Sequence, residues 1–308
     1  LSYVVKEICD LVVKYDAIVA MEDLNVGFKR GREKFEKQVY QKFEKALVDK
    51  MSYMVNKDAS PCSNGGLFRA YQLTNKKYNE KEKQNGFIFY VSAWNTSKID
   101  PTTGFVNLLR FKYESKEKAK AFFEKFKDIF YDRAKDMFAF SFQYSDFIPT
   151  DCKKEWTVYS NGERIVVGKN ESGQWDKKKI SLTAEFQKLC NAYGIDYLGD
   201  IKSQIREVED KGFFERLYKL LSYTVQLRNS DHVEDYILSP VLNSDGTFFD
   251  SRNSEGSRPC DADANGAYHI AKKALWAIGK IKEAEETDYK KTKLAISNED
   301  WLKFVQKP

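Results

Sequence analysis

Asp261-Ala262-Asp263-Ala264-Asn265-Gly266-Ala267-Tyr268-His269-Ile270, near the C-terminus of this 308-residue chain, decides how the remainder is read. Acids at its start, followed by Ala267, Ile270, Ala271, Ala274, Leu275 and Ile278 on one face, mark the mouth and the core side of a helix. Its counterpart is Ala17-Ile18-Val19-Ala20-Met21-Glu22-Asp23-Leu24-Asn25, whose Ala17–Met21 part is an apolar run without polar alternation, as expected of a strand covered on both faces. Glu22 and Asp23 close that strand, and chemistry collects at the carboxyl ends of strands in open α/β sheets. Carboxylates from a strand end and from the first turn of a helix can together hold the metal ions of a phosphodiester-cutting site.

Working outward, Leu1, Val4, Val5, Ile8, Leu11 and Val12 predict an opening amphipathic helix to about Lys14. The Ala17–Met21 strand follows, then a basic loop marked by Gly27 and Gly31 and carrying Phe28, Lys29, Arg30 and Arg32, and a long helix from Phe35 to about Asn56. Asp58–Gly66 reads as a turn-rich connection and Gly86–Val91 as a second strand, so helix and strand alternate and argue for an α/β layer. From about Trp94 the texture changes to short mixed elements. Phe122, Phe123, Phe126, Ile129 and Phe130 predict a helix, Met137–Tyr144 a half-exposed strand, and Trp156–Val167 a hairpin turning at Asn161-Gly162. Phe186, Leu189 and Cys190 mark another helix, and the apolar series from Phe213 to Leu227 a stronger one ending at Arg228. Asn243–Gly246 is a turn before a strand at Thr247–Phe249, and Ser297–Asp300 resembles a capping box opening a terminal helix.

Lys and Arg outnumber Asp and Glu by 51 to 46, which permits a polyanionic partner and says nothing of fold. The excess is concentrated: Lys29–Lys50 holds eight basic and four acidic residues. The five cysteines are widely spaced and form no C-x-x-C pair, which argues against a zinc ribbon and for reduced thiols in a cytosolic protein. No apolar run is long enough to predict a membrane span.

In the site itself, a helix N-terminus favours the ionised form of Asp263, the form a hard cation needs. Gly266 would let a phosphate or metal approach, and His269 is a weaker candidate for a supporting contact. The plain alternatives are an N-cap role for Asp263, a solvated rim position for Glu22 and a packing role for His269. Arg228-Asn229-Ser230, followed by Asp235, is a compact polar cluster that could position a phosphate. The alternative there is Arg228 as a charge at a helix C-terminus with Asp235 as its salt-bridge partner. Lys29, Arg30 and Arg32 could contact a nucleic-acid backbone, or simply be solvated.

Several longer words are more specific. Met21-Glu22-Asp23-Leu24-Asn25 with Gly27-Phe28-Lys29, Glu36–Lys42, Thr96-Ser97-Lys98-Ile99-Asp100-Pro101 with Thr103–Val106, Leu227-Arg228-Asn229-Ser230, Phe249-Asp250-Ser251-Arg252 and Asp261–Ile270 together resemble the C-terminal part of type V-A CRISPR RNA-guided DNA endonucleases. The resemblance runs nearly end to end. It implies a ribonuclease H-like (RuvC) mixed sheet with flanking helices, interrupted by an inserted α+β Nuc domain. The expected boundaries are 1–93 and 261–308 for the RuvC-like parts and 94–260 for the insertion. Carried over by position, Glu22 is the second RuvC acid and Asp263 the third, both metal ligands. Arg228 is the arginine that helps present the target strand, with Ser230 and Asp235 beside it. Two Mg2+ ions are implied, with Mn2+ as an accepted substitute, and guide RNA and target DNA as partners in a bacterial or archaeal cytoplasm. The family's first RuvC acid lies upstream of Leu1, so the resemblance also implies the remaining N-terminal polypeptide as a partner and inactivity of this chain alone. A non-catalytic RuvC-fold DNA-binding module and a transposon-encoded RuvC nuclease are the alternatives.

Overall fold

The structure is a computed structural model that describes residues 1–22, 34–52, 88–169, 172–283 and 295–306. The chain divides into two compact units, Leu1–Thr96 with Ala267–Val305, and Ser97–Gly266 with Gln306–Pro308. The first opens with α1 (Ser2–Tyr15), whose Val5, Cys9 and Val12 are buried and which ends in a left-handed residue, Asp16. Ala17 N–H then returns to Val12 O, so Ala17, expected to begin the strand, instead closes the helix, and the strand starts two residues later. The strand β1 is Val19–Glu22, followed by α2 (Lys34–Ser52) and β2 (Ile88–Val91). β1 and β2 pair in parallel, with Glu22 opposite Val91. Lys29, Arg30, Arg32, the Asp58–Gly66 connection and the first residues expected in the second strand lie outside the described residues.

The second unit contains α3 (Lys116–Glu124), β3 (Asp128–Asp132), β4 (Met137–Gln143), β5 (Glu155–Tyr159), β6 (Glu163–Lys169) and β7 (Trp175–Ser181). Then come α4 (Leu182–Ala192), α5 (Ile201–Glu207), α6 (Lys211–Thr224), β8 (Arg228–Ser230), β9 (Asp235–Leu242) and β10 (Phe248–Asp250). Ser115, Ser181, Asp200 and Asp210 cap the four helices by accepting backbone N–H bonds. The core is strongly aromatic, with Phe105, Phe123, Phe126, Phe138, Phe140 and Trp156 all but excluded from solvent.

Four local expectations are corrected in this unit. Ile129 and Phe130 belong to β3, where they pair with Phe140 and Ala139, because α3 starts and stops earlier than the aromatic spacing suggests. β4 is buried along both faces from Phe138 to Phe142, so its alternation separates two kinds of interior and not interior from water. β5 and β6 are not hairpin partners: β5 pairs with β4, and β6 pairs with β7. The turn chemistry is nevertheless present, with Gly162 at φ 67° and a corner held by Asn161 Nδ2 donating to Ser239 O at 2.9 Å. Finally, α6 ends at Thr224, and Arg228 starts a strand; it is not a charge at a helix terminus.

α7 (Ala262–Glu283) begins in the second unit and continues in the first, and α8 (Asn298–Val305) is the last helix described. Ser297 Oγ accepts Asp300 N–H at 3.1 Å, the N-cap half of the expected capping box, while Asp300 Oδ2 takes the Ser297 hydroxyl at 2.7 Å where a capping box would have its acid take the backbone N–H. In the first unit Ile88 and Tyr90 pack with Val5, Val12, Leu47 and Met51, while Phe89 and Val91 pack with Ala274 and Ala277 of α7. β2 is therefore covered on both faces, which is why its sequence shows no alternation.

Candidate active site

Glu22 is the last residue of β1 and is held from two directions. Its carbonyl oxygen accepts the Tyr40 hydroxyl of α2 at 2.9 Å, and its Oε1 accepts the Thr96 hydroxyl at 3.0 Å. Nearby lies Lys273 of α7, almost fully buried, whose ammonium donates to Ser92 O at 2.7 Å and to Trp94 O at 2.5 Å. Burial pushes that ammonium down to about 8, while the Glu22 carboxylate works in the opposite sense. His269, the weaker candidate, is also fully buried and sets its ring edge-on to Trp301 at 6.0 Å, which gives it a packing role.

In the second unit, Asp261 and Asp263 divide the work of the α7 start. Asp261 Oδ1 accepts Ala264 N–H at 2.6 Å, the bond of an N-cap. Asp263, two residues on, is released from that duty, and its side chain is 86% exposed. The plain reading of Asp263 as a cap is thus met by its neighbour. Arg228 Nη2 donates to Asp263 Oδ1 at 3.2 Å, and its Nε donates to Asp235 Oδ1 at 2.8 Å, with Nη2 also reaching Asp235 Oδ2. The fork onto Asp235 holds the guanidinium well above its ordinary value, with Asp263 adding to the effect. Strand alternation places Ser230 on the Arg228 side of β8, and Ser230 stands opposite Asp235 in the ladder. Asn229 faces the other way, fully buried, where it accepts Ile165 N–H and donates to Leu227 O. The Arg-Asn-Ser word therefore holds two surface groups and one structural amide.

Gly266 has a simpler role than the one expected of it. A Cβ built there would meet Ser97 Cβ at 3.7 Å, ordinary contact, so its position faces the chain. Sequence reasoning passed over two polar residues of the Thr96–Asp100 word. Thr96 is the Glu22 partner just described. Asp100 is fully buried and accepts Thr102 N–H at 2.7 Å, Thr103 N–H at 3.2 Å and the Ser239 hydroxyl, a closed turn with its lone pairs committed. An Asp followed by Pro and two Thr was the available signal for that turn.

Glu22 and Asp263 offer carboxylate oxygens, the donor type suited to a hard divalent cation. Among the described residues, no group of three or more His, Cys, Asp or Glu side chains is gathered to hold a metal ion. Cys9, Cys152, Cys190 and Cys260 are unbridged. No described helix is long and apolar enough to cross a membrane. Compared with known protein families, residues 1–308 match the RuvC nuclease domain from end to end. This chain belongs to the RuvC nuclease domain family, whose chemistry is the hydrolysis of phosphodiester bonds.

Proposed function

We propose that this chain is the RuvC II, Nuc and RuvC III portion of a type V-A-like CRISPR RNA-guided DNA endonuclease, cutting both target and non-target strands at one site in bacterial or archaeal antiviral defence. The observation that carries the reading is the division of labour at the α7 start: Asp261 caps, and Asp263 is left exposed beside Arg228. The discontinuous first unit, Leu1–Thr96 with Ala267–Val305, supports an insertion between two RuvC parts, taken here as the Nuc domain at 94–260 with Asp263 in the RuvC part that follows.

In this reading Glu22 and Asp263 hold Mg2+, and a further carboxylate comes from polypeptide outside this chain. Bound divalent ions supply the charge that activates water and stabilises the leaving oxygen. The chain's own residues bind and orient. Asp235 occupies the Nε and Nη2 edge of Arg228, which leaves the Nη1 edge for a phosphate oxygen, and Ser230 stands on the same side of β8 to add a hydroxyl. The basic residues Lys29, Arg30 and Arg32 contribute backbone contacts in the same reading, and sequence choice is delegated to guide pairing.

The apolar stripe Val4, Leu11 and Tyr15 on α1 is exposed, while Val5, Cys9 and Val12 beside it are buried. An apolar arc of that width supports a covering segment, which the reading assigns to the remaining N-terminal part of the polypeptide. The test is cleavage by the full-length protein carrying Glu22→Ala or Asp263→Ala. Each is expected to abolish turnover, by at least about a thousandfold on the scale of lost metal-site charge stabilisation, while guide and target binding persist. Undiminished cleavage by both variants would leave the non-catalytic DNA-binding module as the function.

A further inference from the structure

The parallel pairing of β1 with β2 sets Glu22 opposite Val91, the last residue of β2, so the chain leaving β2 passes directly by the carboxylate. That segment, Ser92–Thr96, makes no ladder of its own. Its carbonyls are taken by side chains: Ser92 O and Trp94 O by the Lys273 ammonium, and Asn95 O by Trp301 Nε1 at 3.1 Å. Lys273 also sets its ammonium over the Trp301 ring at 5.1 Å, which joins the two clamps. Asn95 takes the left-handed conformation, φ 46°, which turns the chain immediately before Thr96. Thr96 is buried, and its hydroxyl ends on Glu22 Oε1. Every one of these groups lies in the first unit.

A buried lysine with two backbone carbonyls in reach is an expensive way to end a strand unless the placement of the next few residues matters. We propose that Ser92–Thr96 is a positioning strap for Glu22: Lys273 and Trp301 fix its backbone so that the Thr96 hydroxyl holds the carboxylate in the orientation a cation requires. The inference rests on Glu22 being a metal ligand. Thr96 and Lys273 act through Glu22 and are positioning residues. Partners of a ligating carboxylate typically govern metal affinity by about ten- to a hundredfold.

The experiment uses the full-length protein and Mn2+ binding followed by calorimetry without nucleic acid, together with the Mg2+ dependence of cleavage. Thr96→Val keeps the shape and removes the hydroxyl. It is expected to weaken Mn2+ binding about tenfold and to raise the Mg2+ needed for half-maximal cleavage, with the rate recovering at saturating Mg2+. Thr96→Ser restores the donor and is expected to bind Mn2+ within about twofold of the unaltered protein, a rescue that packing alone would not produce. Wild-type Mn2+ affinity in Thr96→Val, alongside lost affinity in Glu22→Gln, overturns the strap while leaving Glu22 a ligand. Wild-type affinity in Glu22→Gln removes the metal-ligand reading and the strap with it. Equal weakening by Thr96→Val and Thr96→Ser also overturns it, since the hydroxyl would then not be the group that matters.

Discussion

At the residue scale, the two aspartates at the start of α7 should separate stability from chemistry. Asp261 accepts a helix N–H, whereas Asp263 is exposed and shares Arg228 with Asp235. Asp261→Ala is expected to cost about 1 kcal/mol of stability, the usual value of a lost N-cap. Asp263→Ala should change stability by no more than about 0.5 kcal/mol, as for most exposed positions, yet remove cleavage. Urea denaturation and a cleavage assay on the same two variants of the full-length protein check this. If Asp261→Ala alone loses activity while Asp263→Ala keeps it, the assignment is reversed. That Asp263 and Glu22 were readable at all stems from position, since an acid ending an apolar run and an acid opening a helix are local patterns. Thr96 was not readable as a partner of Glu22, because a contact between residues 74 apart in sequence leaves no local trace. Arg228 and Asp235 fall between these cases: their pairing was one of the alternatives read from the sequence, and a strand in place of a helix end is what brings it about.

At the element scale, α7 meets the end of β2 through apolar packing and through one buried ammonium, Lys273, whose titration gives a signed prediction. Lys273 is held down to about 8 in the fold against 10.5 when free. Between those values the unfolded chain binds the extra proton, so this residue makes stability rise with pH across that window and contributes no slope below it. Relative to Lys273→Met, the native protein should therefore gain about 1–3 kcal/mol on going from pH 8 toward 10.5. Urea midpoints of the two proteins, compared across that window in EDTA, provide the measurement. Parallel curves would show that Lys273 is not desolvated as its burial requires. The same scale shows where pattern reading fails. Asn161-Gly162 does turn the chain, but β5 and β6 then enter different sheets, because the Asn161 amide and the buried Arg164 guanidinium tie the corner to Ser239 O and Tyr223 O. Turn chemistry is local and pairing is not.

At the scale of the molecule, the coarse alternation of helix and strand, the change of texture after the second strand, and the returning C-terminal helix were legible because each is a matter of period and length. The cover over the outer side of α1 was not, because an apolar helix face carries no label for its partner. Val4, Leu11 and Tyr15 recur at the spacing of one helical stripe and remain half or more exposed, next to the buried Val5, Cys9 and Val12. In the proposed full-length protein this stripe is an interior surface, and in the isolated chain it is a sticky one. Val4→Gln with Leu11→Gln should then act in opposite directions in the two settings. In the isolated 308-residue chain the pair should reduce self-association, seen as lower light scattering, with no loss of thermal stability. In the full-length protein the same pair should destabilise by about 2–4 kcal/mol, two half-buried aliphatic side chains becoming polar inside an interface. No effect in the full-length protein would mean that α1 faces water there too, and that the polypeptide supplying the remaining carboxylate packs elsewhere.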